Sequence, residues 1–304
     1  MTDKVTIRKE KTFEPVLSIV VPFYNEEDNV LPLYKEIKAA VTSTGLLYEM
    51  VLVNDGSKDE TLGRLNEIET LDSRVKIIDL QRNYGQTAAM MAGFDNVNGE
   101  IIIAMDGDGQ NDPAEIPKLL NELDKGFDVV SGWRRDRQDK TLTRKIPSQM
   151  ANWLISKVSG VHLHDYGCSL KAYRKNVIED VKLYGEMHRF IPIYTASQGG
   201  RISEIPVNHR ARLWGESKYG LNRIFKVVLD LMLISFMERY MTKPIYIFGG
   251  VGFALLFLSF LTAGWAVGLK IFSETSFVST PLPTLTGTFF TTGVLCVLMG
   301  LVAE

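Results

Sequence analysis

Short apolar runs alternate with amphipathic segments through the first part of the chain. Most of these runs are rich in Val and Ile without strict alternation, as is typical of strands buried on both faces. They predict strands at Leu17–Val21, Glu49–Val53, Val75–Leu80, Ile101–Met105 and Asp128–Gly132. The segments between them predict helices near Glu27–Ser43, Asp59–Thr70, Gln86–Val97 and Pro113–Lys125. This alternation indicates an α/β fold with a mostly parallel sheet and helices on both faces.

The C-terminal part of the chain has a different pattern. Ile245–Leu269 carry no charge and are long enough to cross a bilayer as a helix. Leu285–Ala303 form a second uncharged run, and the segment between the two runs is short. The pattern therefore predicts a transmembrane hairpin. A buried helical hairpin of a soluble protein is the less favoured alternative, because uncharged runs of this length are hard to bury in such a chain.

The distribution of basic residues predicts the orientation of this hairpin. The connecting loop has only Lys270, which Glu274 offsets, whereas several basic residues precede the first run. They are Arg223, Lys226, Arg239 and Lys243. By the positive-inside rule, the N-terminal domain should face the cytoplasm from the inner (plasma) membrane of a multi-pass protein. The N-terminal stretch "MTDKVTIRKEK" lacks the apolar region of a signal peptide. The chain ends at "MGLVAE", directly after the second run, which favours a shortened C-terminus.

Apolar residues also recur at helical spacing from Leu221 to Met232, with charged residues between them. Such an amphipathic helix packs either on the α/β domain or on the bilayer surface. The second interpretation is favoured, because only a few residues separate the helix from the first apolar run. The expected organisation is a tail at 1–15, an α/β domain at 16–212, juxtamembrane amphipathic helices at 213–243 and two transmembrane helices within 244–304.

Composition excludes several classes of function. The 304 residues include 34 basic and 36 acidic side chains, so no nucleic-acid partner is expected. The two cysteines lie in unrelated contexts and indicate neither a disulfide framework nor a zinc site. The four histidines lack the spacing of a metal site.

Polar segments follow the first four predicted strands: "PFYNEEDN", "NDGSKDET", "QRNYGQ" and "DGDGQNDP". Because the carboxyl ends of parallel strands meet at one edge of a sheet, these segments should lie together. Asp106 and Asp108 are two residues apart, so their carboxylates can converge on one cation where the strand ends. Oxygen ligands suit Mg²⁺ or Mn²⁺, and diphosphate oxygens would complete the coordination shell. An ordinary Gly-Asp-Gly turn is the alternative.

The sequence allows more than one role for the acidic residues that follow the first two predicted strands. Asp55 could accept hydrogen bonds from a base or a ribose, or it could cap the helix that follows. Glu26 and Glu27 form an acidic pair of which Glu27 could simply begin a helix.

The ordered motifs resemble those of family-2 glycosyltransferases with a GT-A fold. They are "VPFYNEEDNV", "VNDGSKDET", "NYGQTAAMMAGF" and "MDGDGQNDPAEIP". Further along, "DYGCSLKAYR" and "RLWGESKYGL", followed by two membrane spans, resemble the polyprenyl-phosphate branch of that family. This branch contains the dolichyl-phosphate mannose synthases, the bactoprenol glucosyltransferases and the undecaprenyl-phosphate aminoarabinose transferases. The last group is the most similar on "NYGQ", "DYGC" and "GESKY".

The resemblance implies a Rossmann-like GT-A domain that transfers a sugar, with inversion, from a nucleotide sugar to a polyprenyl phosphate. It also implies that the nucleotide is UDP. The residues that would hold the nucleotide are Pro22, Tyr24, Glu26, Asp55, Gly85, Gln86 and Asp106. Asp106 and Asp108 match the family's motif for ribose and metal, and Gln110 would lie near the sugar. A divalent cation would stabilise the negative charge that grows on the leaving diphosphate.

The acceptor is then a phosphate monoester whose second pKa is about 6, so it needs positioning more than deprotonation. Arg212, Lys218 and Ser217 suit that task, although basic residues before a membrane helix can also serve to attract anionic lipid. Arg134 could reach a phosphate as well, or it could belong to the solvated loop "RRDRQDK".

The chain departs from many relatives at one position. Where they read DxGDFRL, this chain has Cys168 in place of the second acid. Asp165 remains the candidate for a base or for acceptor positioning, and a structural role in its loop is the alternative.

Rival functions make different predictions. A processive polysaccharide synthase usually carries a QxxRW motif and more spans, and the sequence shows neither. A nucleotidyltransferase is disfavoured as well, because its Gly-rich first loop with Lys or Arg is replaced here by "PFYNEE". A membrane-anchored nucleotide-sugar sensor or a scaffold would bind the nucleotide without turnover. The sequence leaves open which sugar is transferred, whether GDP replaces UDP, and whether the protein forms a homo-oligomer.

Overall fold

The computed structural model describes residues 15–135, 152–153, 155–157, 159–179, 185, 187–211, 243–273 and 276–304. The chain divides into two compact units, Met1–Leu231 and Met232–Glu304. The amphipathic helix expected near residues 221–232 lies outside the described residues, and so do the candidate acceptor contacts Arg212, Ser217 and Lys218.

The first unit contains a seven-stranded mixed sheet of order β3-β2-β1-β4-β6-β5-β7. The strands are β1 (Leu17–Phe23), β2 (Tyr48–Asn54), β3 (Val75–Asp79), β4 (Ile101–Ala104), β5 (Val129–Trp133), β6 (Lys171–Arg174) and β7 (Ile202–Pro206). Only β6 runs antiparallel to its neighbours β4 and β5. The predicted mostly parallel sheet is confirmed, and all five predicted strands are present with small shifts at their ends. The sequence did not predict β6 or β7.

Six α-helices of the first unit have both of their ends among the described residues. They are α1 (Glu27–Thr42), α2 (Thr61–Leu71), α3 (Gln86–Phe94), α4 (Ile116–Leu123), α5 (Lys175–Ile178) and α6 (Ile191–Ser197). The four predicted helices correspond to α1 to α4, the last of which follows a 3₁₀ turn at Pro113–Glu115. Asp112 caps that turn by accepting a hydrogen bond from the amide of Ala114.

The sheet is covered on both faces, which explains the nearly continuous apolar runs in the sequence. In β1, Ile19 and Val21 pack with side chains of α1, whereas Val20 packs on the opposite face with side chains of α3. All three β1 side chains are fully buried. Since both faces of this strand are buried, it can present polar groups to a ligand only at its ends.

The strand order creates a topological switch point between β1 and β4. From β1 the chain moves outward to β2 and β3, and it then returns to the other side of β1 as β4. The two neighbours are parallel to β1, with Phe23 opposite Asn54 and Val20 opposite Ala104. Ligands of open α/β sheets bind in the crevice at the carboxyl ends of strands at such a point.

The second unit contains two long apolar helices, α7 (Ile245–Phe272) and α8 (Leu282–Ala303), packed as a hairpin. Both are long and apolar enough to cross a membrane, as judged by length and composition. Their buried positions are all small residues: Gly249, Gly252, Ser259 and Ala266 in α7, and Gly293 and Gly300 in α8. All of these except Gly249 are spaced seven residues apart within their helix. The backbones approach closely here, because a Cβ on Gly252 would lie 2.8 Å from the carbonyl oxygen of Gly293.

We expect Gly93→Ala to destabilise the α/β unit. A Cβ at Gly93 would overlap Cγ1 of Val20, a stiff and fully buried side chain of β1. Overpacking of this kind costs about 1–3 kcal/mol. The measurement is the midpoint of thermal unfolding of the purified protein.

Gly63→Ala in α2 is the matched control. Among the described residues, the only atom that a Cβ at Gly63 would meet within 4 Å is the carboxylate tip of Glu60. Removing an exposed helical glycine should stabilise the protein by up to about 1 kcal/mol. Equal effects of the two substitutions would contradict the tight packing of α3 on β1.

Candidate active site

Asp106 and Asp108 lie in the loop that follows β4, at the switch point. Both are half-buried, and Gly107 between them is buried against β1. A Cβ on Gly107 would lie 2.5 Å from the Phe23 ring and 2.7 Å from the carbonyl oxygen of Pro22. Only glycine fits this approach, so the loop that carries both aspartates is packed directly on the end of β1.

Each aspartate accepts a hydrogen bond that orients its carboxylate. Nε2 of Gln86, the first residue of α3, donates to Oδ1 of Asp106 at 2.5 Å. The amide of Gln110 donates to Oδ1 of Asp108 at 3.1 Å. The structure thus brings together three of the predicted nucleotide and metal residues, Gln86, Asp106 and Asp108, with Gln110 beside them.

Asp55, at the end of β2, holds the loop that leads into α3. Its carboxylate accepts hydrogen bonds from Nδ2 of Asn83 (2.9 Å) and from the amides of Tyr84 (2.7 Å) and Gly85 (3.0 Å). Burial raises the pKa of Asp55, and the two amide hydrogen bonds offset part of that rise. In this structure Asp55 therefore organises Gly85 and Gln86, and a direct contact with a nucleotide stays a prediction.

The loop after β1 is tied to the loop after β2. Asn25 has a left-handed backbone (φ 51°), and its side chain accepts a hydrogen bond from the amide of Lys58 at 2.8 Å. The amide of Glu26 donates to Oγ1 of Thr61 at 2.9 Å, and its buried carboxylate accepts from Asn29 at 2.7 Å. Pro22 and Tyr24 lie in the same stretch, half-buried beside the switch point.

Arg134 and Asp165 form a buried ion pair. Nε of Arg134 donates to Oδ2 of Asp165 at 2.7 Å, and Nη2 donates to Oδ1 at 2.9 Å. Burial disfavours the charged guanidinium, but the hydrogen bonds and charge of Asp165 outweigh that effect. Cys168 and Asp106 act in the same direction, and the pKa of Arg134 is raised. The influence of Asp106 on this pKa connects the ion pair electrostatically to the Asp106–Asp108 loop.

Both oxygens of Asp165 are engaged by Arg134, and Oδ1 also accepts from the amide of Gly167 at 3.1 Å. A carboxylate held in this way is better arranged to orient a guanidinium than to take up a proton. The sequence pointed to both residues separately but did not predict that they pair.

Lys171 stabilises the loop that contains Asp165 by binding its backbone carbonyl oxygens. It is almost fully buried in β6, and its ammonium donates to the carbonyl oxygens of Tyr166 and Cys168. Burial lowers the pKa of Lys171 to about 8 and raises the pKa of the Cys168 thiol to about 11. Cys168 is therefore a neutral thiol at neutral pH, so it supplies no negative charge at this position. The sequence did not predict a buried lysine next to this loop, because a lysine at the start of a strand is usually exposed.

The segment after β7 is bound to the end of the Asp106–Asp108 loop. The amide of Arg210 donates to the carbonyl oxygen of Gln110 at 2.9 Å, and its guanidinium donates to Asp112 at 2.7 Å and to Glu36 at 2.6 Å. Nδ2 of Asn208 also donates to Asp112, at 2.9 Å. Sequence reasoning missed these contacts, which join residues between 96 and 174 positions apart in the chain.

The donor set at the switch point fits a divalent cation that shares its ligands with a bound substrate. Asp106 and Asp108 supply oxygen atoms only, which suits a hard cation. Within the parts of the chain that the structure describes, no group of three or more His, Cys, Asp or Glu residues could hold a metal ion. A cation at this site would thus need further oxygens from a ligand such as a diphosphate.

Comparison with known families is consistent with this geometry. Residues 18–182 match the model of the family described as glycosyl transferase family 2. The dodecaprenyl-phosphate galacturonate synthase of Rhizobium johnstonii is 48% identical over 249 residues, which are 81% of this chain and 74% of that protein. An undecaprenyl-phosphate 4-deoxy-4-formamido-L-arabinose transferase of Edwardsiella ictaluri is 43% identical, over 82% of this chain and 79% of its own.

Similar solved structures include glucosyl-3-phosphoglycerate synthase from Mycobacterium tuberculosis. Its complex with Mn²⁺, uridine-diphosphate and glucosyl-3-phosphoglycerate has a TM-score of 0.57 at 16% identity, covering 78% of this chain and 86% of that one. This likeness shows the fold alone, which is the GT-A fold expected from the sequence. With the matched family model and the two relatives, it follows that the chain belongs to glycosyl transferase family 2.

Proposed function

We propose that this glycosyltransferase moves a sugar, with inversion, from a nucleotide sugar to the phosphate of a membrane polyprenyl phosphate. UDP is the proposed nucleotide, and the cytoplasmic leaflet is the proposed side. The observation that carries the proposal is the pairing of two sites at one sheet edge. The half-buried carboxylates Asp106 and Asp108 fit a cation-bound diphosphate, and the guanidinium of Arg134, which is paired with Asp165, interacts electrostatically with Asp106. The named relatives, which act on dodecaprenyl and undecaprenyl phosphate, support the acceptor class.

On the donor side, this chain's residues would bind and orient the nucleotide diphosphate. Asp106 and Asp108 would hold Mg²⁺ or Mn²⁺, and the loop organised by Asp55 would present Gly85 and Gln86 to the nucleotide. Pro22, Tyr24 and Glu26 would border the bound nucleotide. A bound cation supplies electrostatic stabilisation of the leaving diphosphate. Gln110, held by the backbone of Arg210, would contact the sugar.

On the acceptor side, the chain would position an anion. A phosphate monoester is largely ionised at neutral pH, so its oxygen can attack the anomeric carbon without losing a proton. The new C–O bond forms as the bond to the donor's diphosphate breaks, and the nucleoside diphosphate leaves with the electron pair. Arg134 would hold the acceptor phosphate, and Asp165 would keep the guanidinium oriented. Arg212, Ser217 and Lys218 are proposed as additional contacts.

The membrane hairpin supports the same acceptor. Helices α7 and α8 would anchor the enzyme in the bilayer that contains the polyprenyl chain, with the α/β domain on the cytoplasmic side. Anchoring confines the search for the lipid phosphate to two dimensions near the surface.

The proposed reaction predicts lipid-linked product from purified protein. The assay contains Mg²⁺ or Mn²⁺, undecaprenyl phosphate and a panel of radiolabelled UDP- and GDP-sugars, and the product is detected by extraction into organic solvent. Absence of product from every donor would exclude the reaction, and nucleotide binding without turnover would identify a sensor or a scaffold instead.

Asp108→Asn should lower kcat at least about 100-fold, because loss of a cation ligand removes stabilisation of the leaving group. Asp95→Asn, an exposed aspartate just after α3, is the matched control and should retain wild-type turnover. Activity of Asp108→Asn within about threefold of wild type would show that Asp108 holds no essential cation.

Asp165→Asn should raise the KM for the polyprenyl phosphate about tenfold and leave the donor KM nearly unchanged, because one hydrogen bond to Arg134 is lost. Arg134→Lys retains the charge but loses the planar fork, so it should act in the same direction. The double variant should be little worse than either single one, since both remove the same pairing. A large fall in kcat with an unchanged acceptor KM would instead identify Asp165 as a base.

A further inference from the structure

Glu204, in the middle of β7, makes an unusual set of contacts. Its side chain is 9% exposed. Oε2 accepts from the amide of His164 at 2.9 Å, and Oε1 accepts from the amide of Asp165 at 2.9 Å. Nδ1 of His164 lies a further 2.7 Å from Oε2. Every partner in this arrangement can donate a hydrogen, so a carboxylate satisfies all of them at once.

The two amides fix the backbone that carries Asp165. Because both oxygens of Glu204 bind adjacent N–H groups, the backbone between His164 and Asp165 cannot rotate without breaking a hydrogen bond. That orientation sets the direction in which the Asp165 side chain leaves the backbone. The carboxylate of Asp165 then binds Arg134 through both of its oxygens.

A second route leads from Glu204 to the same arginine. The His164 ring stacks on the ring of Trp133, with centroids 4.3 Å apart and planes 19° apart. Trp133 directly precedes Arg134 in the chain. Glu204 therefore restrains Arg134 through the carboxylate of Asp165 on one side and through the stacked rings on the other.

We infer that Glu204 is a positioning residue for anion binding by Arg134. This inference rests on the proposed function in taking the anion to be the phosphate of the acceptor. Glutamine cannot replace Glu204, because its amide group would face an N–H donor where the carboxylate accepts. Aspartate is one methylene shorter and cannot reach both amides in the same geometry.

Substitution of Glu204 should leave β7 in place. The strand pairs with β5 from Ile202 to Pro206, and its continuation is fixed by the contacts of Asn208 and Arg210 with Asp112. Successive side chains of a strand point to opposite faces. Ser203, the preceding residue, accordingly donates to Oε1 of Glu122 at 2.8 Å, which makes Ser203→Ala a matched control.

The test compares wild type, Glu204→Gln and Ser203→Ala as full-length protein in detergent. Binding of farnesyl phosphate, a short polyprenyl phosphate, is measured by isothermal titration, and hydrogen exchange follows the amides of residues 164 and 165. In Glu204→Gln we expect about tenfold weaker binding, equivalent to about 1.4 kcal/mol, and faster exchange. Ser203→Ala should match wild type in both, and the donor KM should stay within about twofold in either variant.

The outcomes separate this inference from the proposed reaction. Unchanged affinity of Glu204→Gln for farnesyl phosphate would overturn the inference even if wild type forms product. An equal loss of donor and acceptor binding would show a general structural role and would overturn it too. If wild type forms no product but Glu204→Gln still weakens farnesyl phosphate binding, the positioning role stands and the reaction fails. Should Glu204→Gln not fold, Glu204→Asp provides the same comparison, with weakened binding expected.

Discussion

Burial of both faces of β1 is the constraint on which the rest of the site depends. A strand without solvent on either side can offer polar groups only where it ends, and its neighbours β2 and β4 end at the same edge. The loops that leave these strands are then forced together, and hydrogen bonds between them fix their shapes. Asp55 shapes the loop before α3, Gln86 at the start of α3 orients Asp106, and Gly107 lets the Asp106 loop pack on β1.

Electrostatics divide the site into two halves. Carboxylates dominate at the end of β4, whereas a guanidinium with an already satisfied partner lies at the end of β5. Taking Arg134 and Asp165 out of water carries a desolvation cost that their mutual attraction and the surrounding hydrogen bonds must offset. The arrangement keeps a permanent positive charge in a fixed direction, which a flexible surface lysine could not do. It suits a reaction in which one anion leaves and another attacks.

Much of the fold follows from local patterns. Continuous Val- and Ile-rich runs mark β1 to β4, and the motif order around Asp55, Gln86 and Asp106 places them at one edge because parallel strands end together. The sequence pattern did not predict strand β6, because its four residues include a buried lysine. It did not predict β7 either, because that strand is partly exposed. The Arg134–Asp165 pair joins residues 31 positions apart in the chain, and the contacts of Glu204 join residues 39 and 40 positions apart. The periodicity of hydrophobic residues along the sequence does not indicate contacts over such separations, so only the folded structure shows them.

The spacing of small residues in the hairpin has a consequence for how this segment can vary in length. Gly252, Ser259 and Ala266 recur every two turns, and so do Gly293 and Gly300. An α-helix turns by about 100° per residue, so one inserted residue would rotate every later position away from its partner. Phenylalanine and leucine side chains would then enter the narrow contact between the backbones. Insertions and deletions within either helix should therefore be tolerated mainly in multiples of seven residues. The length of the loop between the helices is not restricted in this way.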